Sequence, residues 1–356
     1  MRAAAVALLA ALSLAPAPAG AAEPAAAVLS AEAARPYLAP QQLVDVGGGR
    51  RINLVCMGSG PQTVLFDSGG SDWSVIWALV QPAVAEGARA CAYDRAGLGY
   101  SDPAFGTRTP VAIVEDMHAL IGAAKLKTPL ILVGHSLGGF NVKLHAALYP
   151  GDVAGLVLVD PSEERASERS RALLRARFGP SLAARAELAD NGFGTWLMDR
   201  YRRCAELARD VPLDPGSLAY RRCSDPVRAP LGPEIAAERQ RIQVTPTYQA
   251  AQASEILNSI YGDTRGDPVY ADLFRPGAFG SKPLLVLSHG LYDKDDPLDV
   301  AGQESMVALH AETARLSKKG RHRVIPDTHH NIEIDDPAAV VAAVREVVGE
   351  VEAARR

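Results

Sequence analysis

The stretch ILVGHSLGGF, residues 131–140, decides how the rest of the chain is read. A short apolar run of the kind that forms a buried strand leads into Gly134-His135-Ser136-Leu137-Gly138, and GGFNVKLHAALY beyond it has helical spacing. A Gly-x-Ser-x-Gly segment between a strand and a helix is a tight turn. Its flanking positions must lack bulky side chains, and its central residue is forced into a strained backbone that holds the hydroxyl clear of the sheet. The free N–H groups and positive dipole end of the helix then face any oxyanion that forms on an attacked carbonyl. Ser136 is therefore the candidate nucleophile, and the N–H of Leu137 is a candidate oxyanion donor.

A serine hydroxyl is a weak nucleophile at neutral pH and needs a base, for which histidine has a suitable pKa. Beyond the last strand-like run comes DTHHNIEIDDP, where His329 and His330 precede a Pro-initiated helix. We assign His330 as the base, with His329 the runner-up. His135 is an elbow residue, and His118, His145 and His310 lie on helix-like segments as surface or packing residues. His289 ends a strand beside a candidate acid loop.

A carboxylate must hold the imidazole in the right tautomer and stabilise its cation. LLVLSHGLYDKDDP offers Asp293 and GLVLVDPSEE offers Asp160, and chain order admits both. Asp293 is the assigned acid and Asp160 the alternative; Asp295 and Asp296 are also within reach of that loop. The DKDD run lacks the spacing and central glycine of a calcium-binding loop. The second oxyanion donor is placed at Gly69, where VLFDSGG ends a strand in small residues that let the backbone approach a substrate oxygen. In YDRAGLGYSD, residues 93–102, Asp94 and Arg95 are read as bracing the turn that shapes the pocket floor.

The 356 residues, 48% hydrophobic and 22% charged with net charge −4, describe a globular chain with no nucleic-acid footprint. The runs INLVCMG, TVLFDSGG, ARACAYDRAGLG, PLILVGHS, AGLVLVD, KPLLVLSHG and HRVIPDT read as buried strands. Stretches with helical spacing (74–86, 111–124, 136–148 and 337–351) alternate with them, as in a mostly parallel α/β sheet covered on both faces. Between Asp160 and Lys282 the alternation breaks into helical patterning, read as a cap over residues 161–281 inserted into a core of residues 46–160 and 282–356. Arg2, the apolar run after it and Ala19-Gly20-Ala21 read as a signal peptide over residues 1–22, followed by a low-complexity linker over 23–45. No other segment is apolar enough to span a membrane, so a periplasmic or secreted protein is expected. Four cysteines in an exported chain suggest disulfides; of the three pairings, Cys56 with Cys91 and Cys204 with Cys223 is favoured.

From about Arg51 to Val351 the chain resembles the α/β-hydrolase superfamily, and more narrowly its exported bacterial members with a YDRAGxGxSD turn, a VGHSLGG elbow and a cysteine on each of two early strands. The resemblance implies an eight-stranded, mostly parallel sheet with a cap over the pocket. It also implies that Cys56 and Cys91 meet across neighbouring strands, and that Ser136, His330 and either Asp293 or Asp160 form a triad. One departure stands out: where many relatives show His-Gly after the third strand, this chain has Asp67-Ser68.

The expected activity is cleavage of an ester-type bond of a small substrate through an acyl-enzyme on Ser136, with no metal or organic cofactor. Two alternatives are an amide or peptide hydrolase such as an aminopeptidase, which would need a cap carboxylate to hold an ammonium group, and a low-turnover ligand-binding protein on the same fold. The thirteen arginines between Arg165 and Arg228 could attract an anionic group, although solvated helix faces are their commoner use. Phe193, Trp196 and Met198 are candidates for an apolar pocket lining.

Overall fold

The computed structural model describes residues 28–355. The expected signal peptide and the first part of the expected linker lie outside these residues. The chain begins with α1 (Ala31–Ala34), β1 (Gln42–Asp45), β2 (Arg51–Met57), β3 (Thr63–Asp67), α2 (Gln81–Ala85), β4 (Arg89–Tyr93) and α3 (Pro110–Ala123). Next come β5 (Leu130–His135), α4 (Leu137–Leu148) and β6 (Val153–Val159). Five helices follow: α5 (Ala166–Leu207), α6 (Leu218–Cys223), α7 (Gly232–Gln243), α8 (Pro246–Leu257) and α9 (Val269–Leu273). The chain then returns to the sheet with β7 (Leu284–His289), α10 (Pro297–Ala314), β8 (Gly320–Ile325), α11 (Ile332–Asp335) and α12 (Pro337–Ala353).

The eight strands lie in the order β1-β2-β4-β3-β5-β6-β7-β8. β2 pairs antiparallel with both β1 and β4, and every other pairing is parallel. The central strands are apolar throughout because both faces are covered. Ile131, Val133, Val157 and Val159 join Val340, Val344 and Val347 of α12 in one core. Their neighbours Leu130, Leu132, Leu156 and Leu158 join Met117 and Leu120 of α3 and Val142 of α4 in the other. This period-two sorting is what a strand buried on both sides requires.

Seven strands were readable as apolar runs, and the eighth, β1, falls inside the expected linker. Residues 31–45 are not linker: they form α1, a short 3-10 turn and an edge strand, and Ala34 and Tyr37 are fully buried. The strand escapes a hydrophobicity reading because only Val44 of its four residues is buried. The helix expected over 74–86 is instead a 3-10 turn, Ser74–Trp77, followed by α2.

The helical insertion lies between β6 and β7, as expected. Within α5 the helix breaks at Gly179, whose φ of 78° only glycine adopts without strain, and Pro180 starts the next segment. Both expected disulfides form. Cys56 and Cys91 are register partners on β2 and β4, and Cys204 and Cys223 join α5 to α6. Among the described residues no helix is long and apolar enough to cross a membrane.

Candidate active site

Ser136 sits between β5 and α4 with φ 50° and ψ −120°, a backbone region that costs an L-residue energy and that a functional turn retains. The surrounding glycines have a steric reason. A Cβ on Gly134 would overlap the Gly138 carbonyl, and one on Gly138 would overlap the carbonyls of Asp67 and Ser68. The Ser136 hydroxyl is buried and its hydrogen-bond partner is Ser162 Oγ at 3.4 Å, which in turn meets the Tyr261 hydroxyl at 2.6 Å. The Ser162 N–H donates to the Ser136 carbonyl, so the segment after β6 is pinned to the elbow.

His330 lies in the loop between β8 and α11. Its Nδ1 is 2.6 Å from Asp160 Oδ2, and the His135 ring, one residue before Ser136, is 4.7 Å from its own. Asp160 directly follows β6 and is 2% exposed, which would raise its pKa. Hydrogen bonds from His289 Nδ1 at 2.7 Å and from His330 reverse this and hold the carboxyl well below the usual carboxylate range. The His289 N–H donates to the other oxygen at 3.0 Å. His330 is half exposed; partial desolvation opposes its charge, but the Asp160 hydrogen bond and charge outweigh this and raise its pKa.

Asp293, the acid preferred from the sequence, is not brought to His330. Its carboxylate accepts from the Asp295 N–H and its own N–H donates to Asp299, so it closes an exposed turn before α10. The sheet order explains the correction: β6 is the immediate neighbour of β5, and the residue after β6 emerges beside the elbow. His329 turns outward to Asp335 and is 74% exposed.

The glycine loop after β3 lies against the elbow, since a Cβ on Gly69 would stand 3.4 Å from Ser136 Cβ and 2.9 Å from His135 Nδ1. Arg95 orients this loop. Its Nη1 donates to Asp67 at 2.7 Å and to the Ser68 carbonyl at 2.6 Å, while Nη2 donates to the Gly69 carbonyl at 2.8 Å. In a trans peptide C=O and N–H point in opposite directions, so the N–H groups of Gly69 and Gly70 are turned away from Arg95. Neither is bonded to a backbone carbonyl outside the sheet among the described residues. Glu255 of α8 holds the other edge of the guanidinium with bonds of 2.8 and 2.9 Å. Asp67 is thus the buried counter-ion of Arg95. Asp94 braces the same turn by accepting from the Ser74 and Tyr100 N–H groups and from Asn53.

The insertion reaches the site through Glu255, Tyr261 and two arginines, Arg228 and Arg239, which both pair with buried Asp72. Other insertion arginines, such as Arg171 with Glu187 and Arg177 with Glu304, sit in surface pairs. Phe193 and Trp196 are more than half exposed and line no enclosed core. Ser162, Tyr261 and Glu255 escaped sequence reading. Ser162 carried a weak signal, two residues past Asp160; the other two carried none.

Behind the site, His135 Nε2 is 3.0 Å from the His330 carbonyl, which can only accept, so the proton sits on Nε2. Burial first, and the nearby His330 and Arg228 second, lower the His135 pKa to about 3. Its Nδ1 therefore presents a lone pair to Glu333 Oε1, 3.3 Å away. Glu333 is fully buried, and burial pushes its pKa up to about 7. A folded-state pKa above the unfolded 4.5 makes this carboxyl's cost to stability build up as pH rises from about 4.5 to about 7 and stand in full above that. Glu333→Gln is thus expected to gain melting temperature over the wild type at pH 8 and to lose that advantage near pH 5. A difference independent of pH would sink the assignment.

A family model described as alpha/beta hydrolase fold matches residues 62–337, more than three quarters of the chain. The chain belongs to the alpha/beta hydrolase fold family. Among solved members of this fold, the thermophilic esterase of Thermogutta terrifontis superposes with a TM-score of 0.54 at 22% identity, covering 87% of this chain and 98% of that one. The meta-cleavage product hydrolase of Pseudomonas fluorescens IP01 does so with a TM-score of 0.54 at 17% identity, covering 87% and 98%. The uncharacterised protein YqjL of Bacillus subtilis (strain 168) is 32% identical over 105 residues, 30% of this chain and 42% of that protein. The segments shared with this and three other curated relatives span 15% to 42% of those proteins. For this alpha/beta hydrolase, such likenesses establish the fold and leave the substrate to the chemistry of its own site.

Proposed function

We propose that this protein is an exported serine hydrolase that cleaves an ester-type bond of a small substrate, with Ser136, His330 and Asp160 as its triad. The observation that carries this reading is the 2.6 Å contact between His330 Nδ1 and the buried Asp160 carboxylate, on the loop beside the Ser136 elbow. Ser136 Oγ turns from Ser162, attacks the carbonyl carbon, and passes its proton to His330 Nε2. Asp160 stabilises the imidazolium. The oxyanion is received by the N–H of Leu137 together with that of Gly69, which Arg95 aims from the facing loop. The leaving alcohol takes the proton from His330, and a water activated by the same imidazole releases the acid. Export is supported by the leader-like residues 1–22 and by two disulfides, which persist in oxidising compartments.

Ester over amide or peptide cleavage is supported by the state of the nearby carboxylates. Glu255 is committed to Arg95 and Asp72 to Arg228 and Arg239, so neither is free to hold a substrate ammonium. A fluorophosphonate probe is expected to label the intact protein at Ser136 and not the Ser136→Ala variant. Short p-nitrophenyl esters should turn over faster than aminoacyl anilides. Absence of labelling, with small ligands still raising the melting temperature, would instead favour a binding protein. Because the base must be neutral and its pKa is raised, kcat/KM should fall on acidification with a midpoint above the ordinary 6.5. A midpoint below that value would remove His330 from the role.

A further inference from the structure

Farther along α4, about 13 Å from Ser136 along the helix axis, His145 is fully buried and neither ring nitrogen has a hydrogen-bond partner among the described residues. An orphaned buried imidazole is costly and calls for an explanation. Its Nε2 lies 3.4 Å from Asp152 Oδ2, and the same oxygen is 2.8 Å from His118 Nδ1. One donor atom from each of the three residues lies within 4.8 Å of the others. Donors bound at about 2.0–2.1 Å around a tetrahedral ion stand about 3.3 Å apart, close to the His145 to Asp152 spacing.

We propose that His118 Nδ1, His145 Nε2 and the Asp152 carboxylate form a site for a divalent transition ion of the zinc class, with solvent completing the coordination. Two imidazoles and one carboxylate are a ligand set such ions accept, whereas calcium and magnesium prefer all-oxygen sites. The Tyr149 ring stacks on His118 at 3.9 Å with planes 5° apart, which holds the outer imidazole in place. His118 is 46% and Asp152 22% exposed at the side chain, which leaves an entry path. The three ligands come from α3, α4 and the 3-10 turn Pro150–Asp152 that leads into β6. An ion here would tie together the far ends of the two elements that carry Ser136 and Asp160, as a structural clamp remote from the chemistry.

The test is titration of the chelator-treated, full-length protein with Zn2+, followed by calorimetry, and with Co2+, followed by its visible absorption. Wild type, His118→Ala and Asp152→Asn are compared; both substitutions lie at the surface, and melting of the metal-free proteins reports whether each folds. The expected result is one equivalent in the wild type bound at least tenfold more tightly than in either variant. It is accompanied by a Zn2+-dependent rise in melting temperature that both variants lack. Zinc bound equally by all three would place the ion elsewhere, including at Asp160, His289 and His330, and overturn the proposal. So would an absence of binding by the wild type.

Discussion

Asp160→Asn is expected to lower kcat by about 10^4-fold, while Asp293→Asn leaves it within about threefold, the size of an ordinary surface change. The asymmetry follows from what each carboxylate touches. Asp160 is buried and accepts from both His289 and His330, so an amide in its place offers the imidazoles a partner without charge and allows the wrong tautomer. Asp293 closes an exposed turn and meets no histidine. Steady-state kinetics on a p-nitrophenyl ester would check this. Equal losses in the two variants, or the larger loss in Asp293→Asn, would return the acid to the loop after β7.

Arg95→Met is expected to cost roughly 3–5 kcal/mol of stability, the range for breaking a buried ion pair by removing one partner. The guanidinium is 1% exposed and its counter-ions Asp67 and Glu255 are fully buried, so both carboxylates would be left in the interior without compensating charge. The same change frees the Ser68 and Gly69 carbonyls, and the loop loses the reason to aim its N–H groups at the elbow. Turnover of the remaining folded protein should fall by about 10^2 to 10^3, the usual loss for one oxyanion donor. Urea unfolding and kinetics well below the transition midpoint separate the two effects. A variant that is destabilised but retains full kcat would leave Arg95 a structural role alone.

Much of the site was legible because its chemistry is local. A strand running into Gly134-His135-Ser136-Leu137-Gly138 forces one conformation on Ser136, and the overlaps a Cβ would make at Gly134 and Gly138 show why those positions hold glycine. The apolar runs of the central strands were readable for the same reason, since burial on both faces leaves its mark on composition; the cysteine pairings were favoured because one pair lies on two strand-like runs and the other within the helical insertion. What was misread depended on neighbours far away in the chain. β1 is a strand because β2 offers it an edge, not because Gln42–Asp45 is apolar.

The choice between Asp160 and Asp293 could not be made from spacing, because both follow strands and both lie between the serine and the histidine. Chain order, the elbow, the loop that carries His329 and His330 and the covered parallel sheet were determined by the sequence itself, through steric demands and periodicities a few residues long. The contact of Asp160 with His330, the hold of Arg95 on the loop after β3 and the meeting of His118, His145 and Asp152 were decided only by the tertiary structure. Hydrogen bonds and ion pairs act over about 3 Å in space, and which side chains come that close depends on strand order and helix packing rather than on separation along the chain.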